Sequence, residues 1–303
     1  MSGQQPRIVV IHRRSAYTAS VSEGRNRRIA RLVREGHPVG REMLLAHEEH
    51  LASLRAVRRA LNHLGLRARF LHRTAGLRVR DTDLVIVVGG DGTVLHASHL
   101  VGNANLLPFN SAPRSSSGFL TVATCDRAET FIAAAVAGLL RPTLLQRMRV
   151  EVNGRLATDR VLNDCLFSNE CPASTTRYVL RRGSRQEEHY SSGVWISTAA
   201  GSTAVTQAAG GRILPLRSEL LQFVVREPYP LARQRRRYQL VHGFVRRGDA
   251  LEITNAWQPS VVYVDGPHVA IPVAPAATVR FSLSRRPLRL LGYEAAVKRN
   301  RRG

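Results

Sequence analysis

The stretch DLVIVVGGDGT, residues 83–93, constrains the fold more than any other part of the chain. Its apolar run suits a strand covered on both faces, the environment of a parallel sheet. Gly89, Gly90 and Gly92 then let the main chain turn sharply, with a helix expected from near Thr93. Such a corner, at the carboxyl end of a buried strand, offers free N–H groups and a helix dipole to a phosphate. It also holds Asp91. A carboxylate there repels phosphate unless a divalent cation bridges the two or the acid works as a base. An Asp-Gly turn is the plain alternative, and the glycines on both sides of Asp91 weigh against it.

The neighbouring sequence fits the same architecture. RIVVIH (7–12), ARFLHR (68–73) and NLLPFN (105–110) are short strand patterns. Over residues 40–64, Leu44, Leu51, Leu54, Val57, Leu61 and Leu64 recur at helical spacing, and Gly65 follows as a stop. Residues 126–140 predict a second helix with Asp126 near its N-cap. Alternating strands and helices imply an N-terminal Rossmann-like, doubly wound α/β domain over residues 1–144. Beyond it the texture changes to short alternating runs such as RMRVEVNG, GVWIST, LQFVVRE, SVVYVDG and TVRFSLS. These predict a mostly β domain over 145–290, followed by a basic tail, 291–303.

Composition excludes several functions. The net charge of +23 comes from 44 arginines and one lysine, Lys298. A Walker A loop or a protein-kinase strand lysine is therefore impossible. The charge could serve a polyanion partner. The arginines, however, are spread along the chain without interleaved aromatics, so nucleic acid is not the expected partner. No apolar run approaches the roughly 18 residues of a membrane span, and the N-terminus lacks a secretory pattern. Three cysteines without a CxxC pair suit thiols in a reducing cytoplasm.

Further stretches carry weaker signals. GVWISTAAGSTAVTQAAGG (193–211) is rich in small residues and free N–H groups, suited either to a nucleotide's base and ribose or to close packing at a turn. In VLNDCLF (161–167), Asp164 can grip a ribose diol and Asn163 offers donors and an acceptor, although an Asn-Asp turn is the simpler reading. HEEH (47–50) lacks the HExxH spacing and is expected on a solvated helix face; the cysteines are expected in the core.

Taken in order, these stretches resemble the NAD kinase family. GGDGT fits the wider superfamily that includes diacylglycerol and sphingosine kinases and phosphofructokinases. The 193–211 stretch is similar to the family's DGxxxSTPTGSTAY pattern, and Asn163-Asp164 falls at its Asn-Glu/Asp pair. FNSAPRSSSGFLT (109–121) stands at its GINxGxLGFLT segment, and YVDG (263–266) at a late DG segment. The resemblance implies phosphorylation of the adenosine-ribose 2′-hydroxyl of NAD(H), with ATP or polyphosphate as donor and Mg2+ or Mn2+.

By position, Asp91 would be the catalytic carboxylate, as base, metal contact through the phosphates, or both. Gly89, Gly90, Gly92 and Thr93 would shape the donor-phosphate loop. Phe119 and Asn110 would lie by the acceptor, and Asn163 and Asp164 would hold the ribose. Thr198, Gly201, Ser202, Thr203 and Ala204 would line the adenine pocket, with Asp265 closing it and Ser192 near the substrate. A homodimer or homotetramer is implied. The SAPRSSSGFL stretch (111–120) and the serine before Gly193 bring the chain nearer the mitochondrial-type members; Ser192 replaces an acid and Val205 an aromatic. They also motivate an alternative, a catalytically weakened nucleotide-binding regulator. A lipid kinase is a further alternative, but its GTGND-like stretch is missing.

Overall fold

The computed structural model describes residues 5–74, 79, 81–171, 173–229, 238–266 and 269–294. The arginine run 233–237, Lys298 and all but the first four residues of the expected tail lie outside them. The chain divides into two compact units, 1–143 with 289–303, and 144–288.

In the first unit, strands Ala68–His72, Ile8–His12, Leu84–Gly89 and Asn105–Asn110 form a parallel sheet in that spatial order. The chain order reverses between Ile8–His12 and Leu84–Gly89. That makes the carboxyl ends of these two strands the switch point at which open α/β sheets bind ligands. Both strands are buried along their whole length, as continuous apolar sequence on a two-sided sheet requires. The helix Pro38–His63 packs Val57, Ala60 and Leu61 into this core and ends at Gly65, whose φ of +64° glycine adopts without strain.

Some local expectations change. The arginine-rich segment at 25–34 contains a helix, Arg27–Arg34, capped by the Asn26 side chain accepting the Ile29 N–H. Asp126 does not cap the next helix: it sits in a 3-10 turn, Cys125–Arg127, and the α-helix spans Ala128–Val136. That helix stops short of residue 140 because Gly138 turns left-handed and the Leu139 N–H reaches back to the Ala134 carbonyl. The β-rich span also ends differently. Leu288–Leu290 returns to pair parallel with Asn105–Asn110 in the first sheet.

The second unit is a sandwich of two six-stranded antiparallel sheets. Inward residues alternate along strands such as Leu251–Asn255, and both sheets contribute to one core, including Val150, Tyr178, Phe167, Ile196 and Phe223. The central strand of one sheet, Asp164–Asn169, lies between Gly193–Ser197 and Ser260–Val264.

Candidate functional site

The first corner is built at the end of the Leu84–Gly89 strand. Gly90 is extended, and the helix Asp91–Leu100 starts at Asp91, two residues earlier than expected, because the Thr93 and Val94 N–H groups already bond to the Gly90 carbonyl. Close packing requires the glycines here. A Cβ on Gly89 would stand 2.3 Å from the Thr93 hydroxyl, and one on Gly90 2.6 Å from Ser116 Oγ.

Asp91 is clamped. Its Oδ2 accepts the Phe119 N–H at 3.0 Å and its Oδ1 the Leu120 N–H at 2.8 Å. The loop that supplies these donors is shaped by Asn110, a buried residue at the end of the adjacent strand. Asn110 Nδ2 donates to the Ser116 carbonyl and its Oδ1 accepts the Ala112 N–H. Gly118, at φ +61°, lets the loop turn back, and a Cβ there would fall 2.5 Å from Asn110 Nδ2. The Phe119 ring remains exposed, as a stacking role would need. Sequence reasoning missed the clamp itself; Ser-Gly-Phe, with its left-handed glycine, was the available signal.

The second corner forms because three separate sequence stretches end at neighbouring positions of one sheet. Ser197 pairs with Asp164, and Val264 with Cys165. The Thr198 N–H donates to the Asn163 carbonyl and the Asp265 N–H to the Asp164 carbonyl, so the three loops start side by side. Gly201 is needed for this convergence, since a Cβ would lie 2.2 Å from the Asn163 carbonyl oxygen.

The polar side chains of this corner bond within the protein. Thr198 Oγ1 donates to the Leu162 carbonyl and accepts from Ala200 and Gly201; Ser202 Oγ donates to Ala199 and accepts from Leu214. They hold the 3-10 turn Ala200–Thr203 in place, with Ala204 linking it to the short helix Val205–Ala208. Asp265 is likewise engaged by the backbone. Its carboxylate accepts N–H groups from Leu162, Asn163 and Asp164, at 2.9, 2.7 and 3.1 Å.

Asp164 is the contrasting group. It is buried, and among the described residues its carboxyl has no hydrogen-bond partner. Burial, and then the charge of Asp265, push its pKa up to about 7. A carboxyl so placed lacks the donors that ribose hydroxyls would provide. Ser192 sits beside a cation: its N–H donates to the Arg226 carbonyl, and Arg226 Nη1 reaches the Ser192 carbonyl at 3.5 Å.

Two lesser expectations are corrected. The histidines of HEEH do not lie on a solvated face: His50 is buried against Ser111 Oγ at 2.9 Å, and His47 meets Ser15 Oγ at 2.7 Å. Cys125 and Cys165 are core residues, but Cys171 is exposed. No group of three or more His, Cys, Asp or Glu that could hold a metal occurs among the described residues.

Comparison with known proteins accords with this geometry. Residues 22–140 match the family model of the ATP-NAD kinase N-terminal domain. The "Probable NADH kinase" of Oryza sativa subsp. japonica is 34% identical over 242 residues, 73% of this chain and 74% of that protein. The NADH kinase of Arabidopsis thaliana is 31% identical, over 67% of this chain and 71% of its own length. The fold matches an NAD kinase from Archaeoglobus fulgidus, solved with ATP, at a TM-score of 0.67 and 16% identity, covering 97% and 96% of the two chains. With the two acidic corners on the strand ends where the motifs place them, and with relatives this similar over this much of its length, the chain belongs to the NAD kinase family.

Proposed function

We propose that this protein transfers a phosphoryl group to the 2′-hydroxyl of the adenosine ribose of NAD or NADH, giving NADP or NADPH. The observation that carries the reading is the clamp on Asp91, one N–H on each carboxylate oxygen, which fixes the group and leaves a lone pair on each oxygen. In the reaction the ribose oxygen attacks the terminal phosphorus of the donor. The new O–P bond forms, the bond to the leaving phosphate breaks, and the hydroxyl proton passes to Asp91. Backbone N–H groups around Gly90 and Gly92 receive the transferred phosphoryl's oxygens.

ATP is the proposed donor, with polyphosphate as the second candidate. Magnesium or manganese would be held by Asp91 through the donor phosphates, a carboxylate oxygen being the kind of ligand such hard cations take. Such an ion neutralises donor charge. Asn163 and ionised Asp164 hold the ribose, Phe119 packs on the adenine, and the walls around Gly201, Thr203 and Ala204 enclose it. NADH stands beside NAD as acceptor because two of the similar relatives bear the name NADH kinase.

Among the described residues no helix is long and apolar enough to cross a membrane. A reducing cytoplasm is supported by three free thiols, and a homodimer or homotetramer by the family resemblance. The test is purified protein with ATP and Mg2+, supplied with NAD, NADH or no acceptor, and NADP(H) read by a coupled dehydrogenase. Formation with either acceptor is expected. Acceptor-independent ATP hydrolysis alone would overturn the reading, and NADH binding without turnover would make the chain a nucleotide-binding regulator.

A further inference from the structure

Arg73 lies at the opposite flank of the switch point from the clamp. It follows the strand Ala68–His72, and its N–H donates to the His12 carbonyl at 2.8 Å. Its guanidinium does not stay over its own strand. A Cβ on Gly92 would stand 3.3 Å from Arg73 Nη1. The side chain therefore crosses the end of the intervening strand, two strand spacings of about 4.8 Å, to reach the first turn of the Asp91–Leu100 helix.

This is a costly position for a cation. A helix N-terminus already carries positive partial charge, so arginine is disfavoured there unless an anion accompanies it. The guanidinium is half-buried, and burial lowers its pKa below the ordinary range with no opposing contribution from a carboxylate. Among the described residues, neither Arg73 nor Arg13, at the end of the neighbouring strand, has a carboxylate within 4 Å. Arg13 turns instead to the helix Pro38–His63, where its Nη2 donates to the Ala46 carbonyl at 3.3 Å and the charge of Glu49 opposes the lowering of its pKa by burial. Arg13's charge is also felt by His50, which burial first and Arg13 second hold down to about 4. Asp91 does not neutralise the group, since its oxygens are turned to the loop N–H donors. Arg73 thus adds its charge to the positive end of the helix at the glycine corner, with no ion-pair partner among the described residues, a pattern that matches an absent polyanion.

We propose that Arg73, reaching the Gly90–Thr93 turn, is the residue that recognises the donor's condensed phosphate chain. The inference rests on the kinase reading of this corner and names the part of the donor it grips. Recognition is through the phosphates, so a nucleoside triphosphate and a linear inorganic phosphate chain share it, and an adenine-specific gain appears as a difference between them.

The experiment titrates MgATP and Mg-tripolyphosphate into wild type, Arg73→Gln, Arg73→Lys and Arg69→Gln by calorimetry, with KM for ATP and for NADH measured in parallel. Arg69 is exposed on the same strand and serves as the charge-matched control. Losing a charge-assisted contact predicts Kd for both anions, and KM for ATP, raised by about tenfold or more in Arg73→Gln. Arg73→Lys recovers part of the loss, while Arg69→Gln and the KM for NADH remain near wild type. Equal affinities in Arg73→Gln and wild type, or a KM for NADH raised as much as that for ATP, would overturn the assignment. Arg73-dependent phosphate binding in a protein that makes no NADP(H) would sink the kinase reading and leave this inference standing.

Discussion

Asp91 and Asp265 each accept backbone N–H groups from a neighbouring loop, yet they leave their surroundings in different electrostatic states. At the first corner a single carboxylate takes two donors and stays at the surface with unused lone pairs. At the second, Asp265 takes three, holding the Leu162–Asp164 turn together, and its charge falls on the buried Asp164. One corner thus presents a fixed carboxyl group with unused lone pairs to a reactant. The other spends one acid on the backbone and keeps a second poised near neutrality for a ligand that brings hydroxyl donors. The difference shows that the number of N–H donors around an aspartate does not decide its role; the lone pairs left over and the neighbouring charge do.

The comparison can be broken by exchanging each acid for a neutral residue. Asp91→Asn should lower kcat by at least about 10²–10⁴-fold, the usual worth of a general base, and near-normal turnover would remove Asp91 from the chemistry. Asp265→Ala should cost about 1–3 kcal/mol in denaturant unfolding, since three buried-side N–H groups lose a charged acceptor. A variant as stable as wild type would make that clamp dispensable.

Asp164 supplies a signed pH dependence. Its folded pKa is raised, so the native state holds a proton that the unfolded chain releases at the ordinary carboxylate pKa. Its contribution to stability is therefore full below about pH 4 and is lost as the pH rises through about 7, by up to about 4 kcal/mol. Asp164→Asn should remove that slope and be the more stable protein at pH 8, as read from unfolding midpoints across pH. NADH binding should run the other way, strengthening in wild type as Asp164 ionises through pH 7 and staying flat in the variant. The smallest effect is expected from Ser192→Asp. A screened charge beside Arg226 should shift the ratio of NAD to NADH kcat/KM by less than about tenfold.

Much of this was legible in the sequence because it depends on backbone. The apolar run 84–88 and its glycines mark a buried strand and a tight corner by sterics alone. The side-chain economy was not legible. The polar atoms of Thr198 and Asp265 bond to the Leu162 backbone, 36 and 103 residues away, and those of Ser202 to Ala199 and Leu214, pairings that only the folded sheet reveals. His50 looked solvated because its partner, Ser111, is 61 residues away. Arg73 gave no sequence signal, since its reach to Gly92 depends on a strand order that places Ile8–His12 between the two.

The division of labour between the corners is tested most directly by NADH titrations into wild type, Asp91→Asn and Asp164→Asn, by calorimetry at pH 8 without donor. Binding by Asp91→Asn should remain within a few-fold of wild type, while Asp164→Asn should bind about tenfold or more weakly, having lost a carboxylate acceptor for two hydroxyls. The reverse order, with Asp91→Asn the weak binder and Asp164→Asn unaffected, would contradict the account.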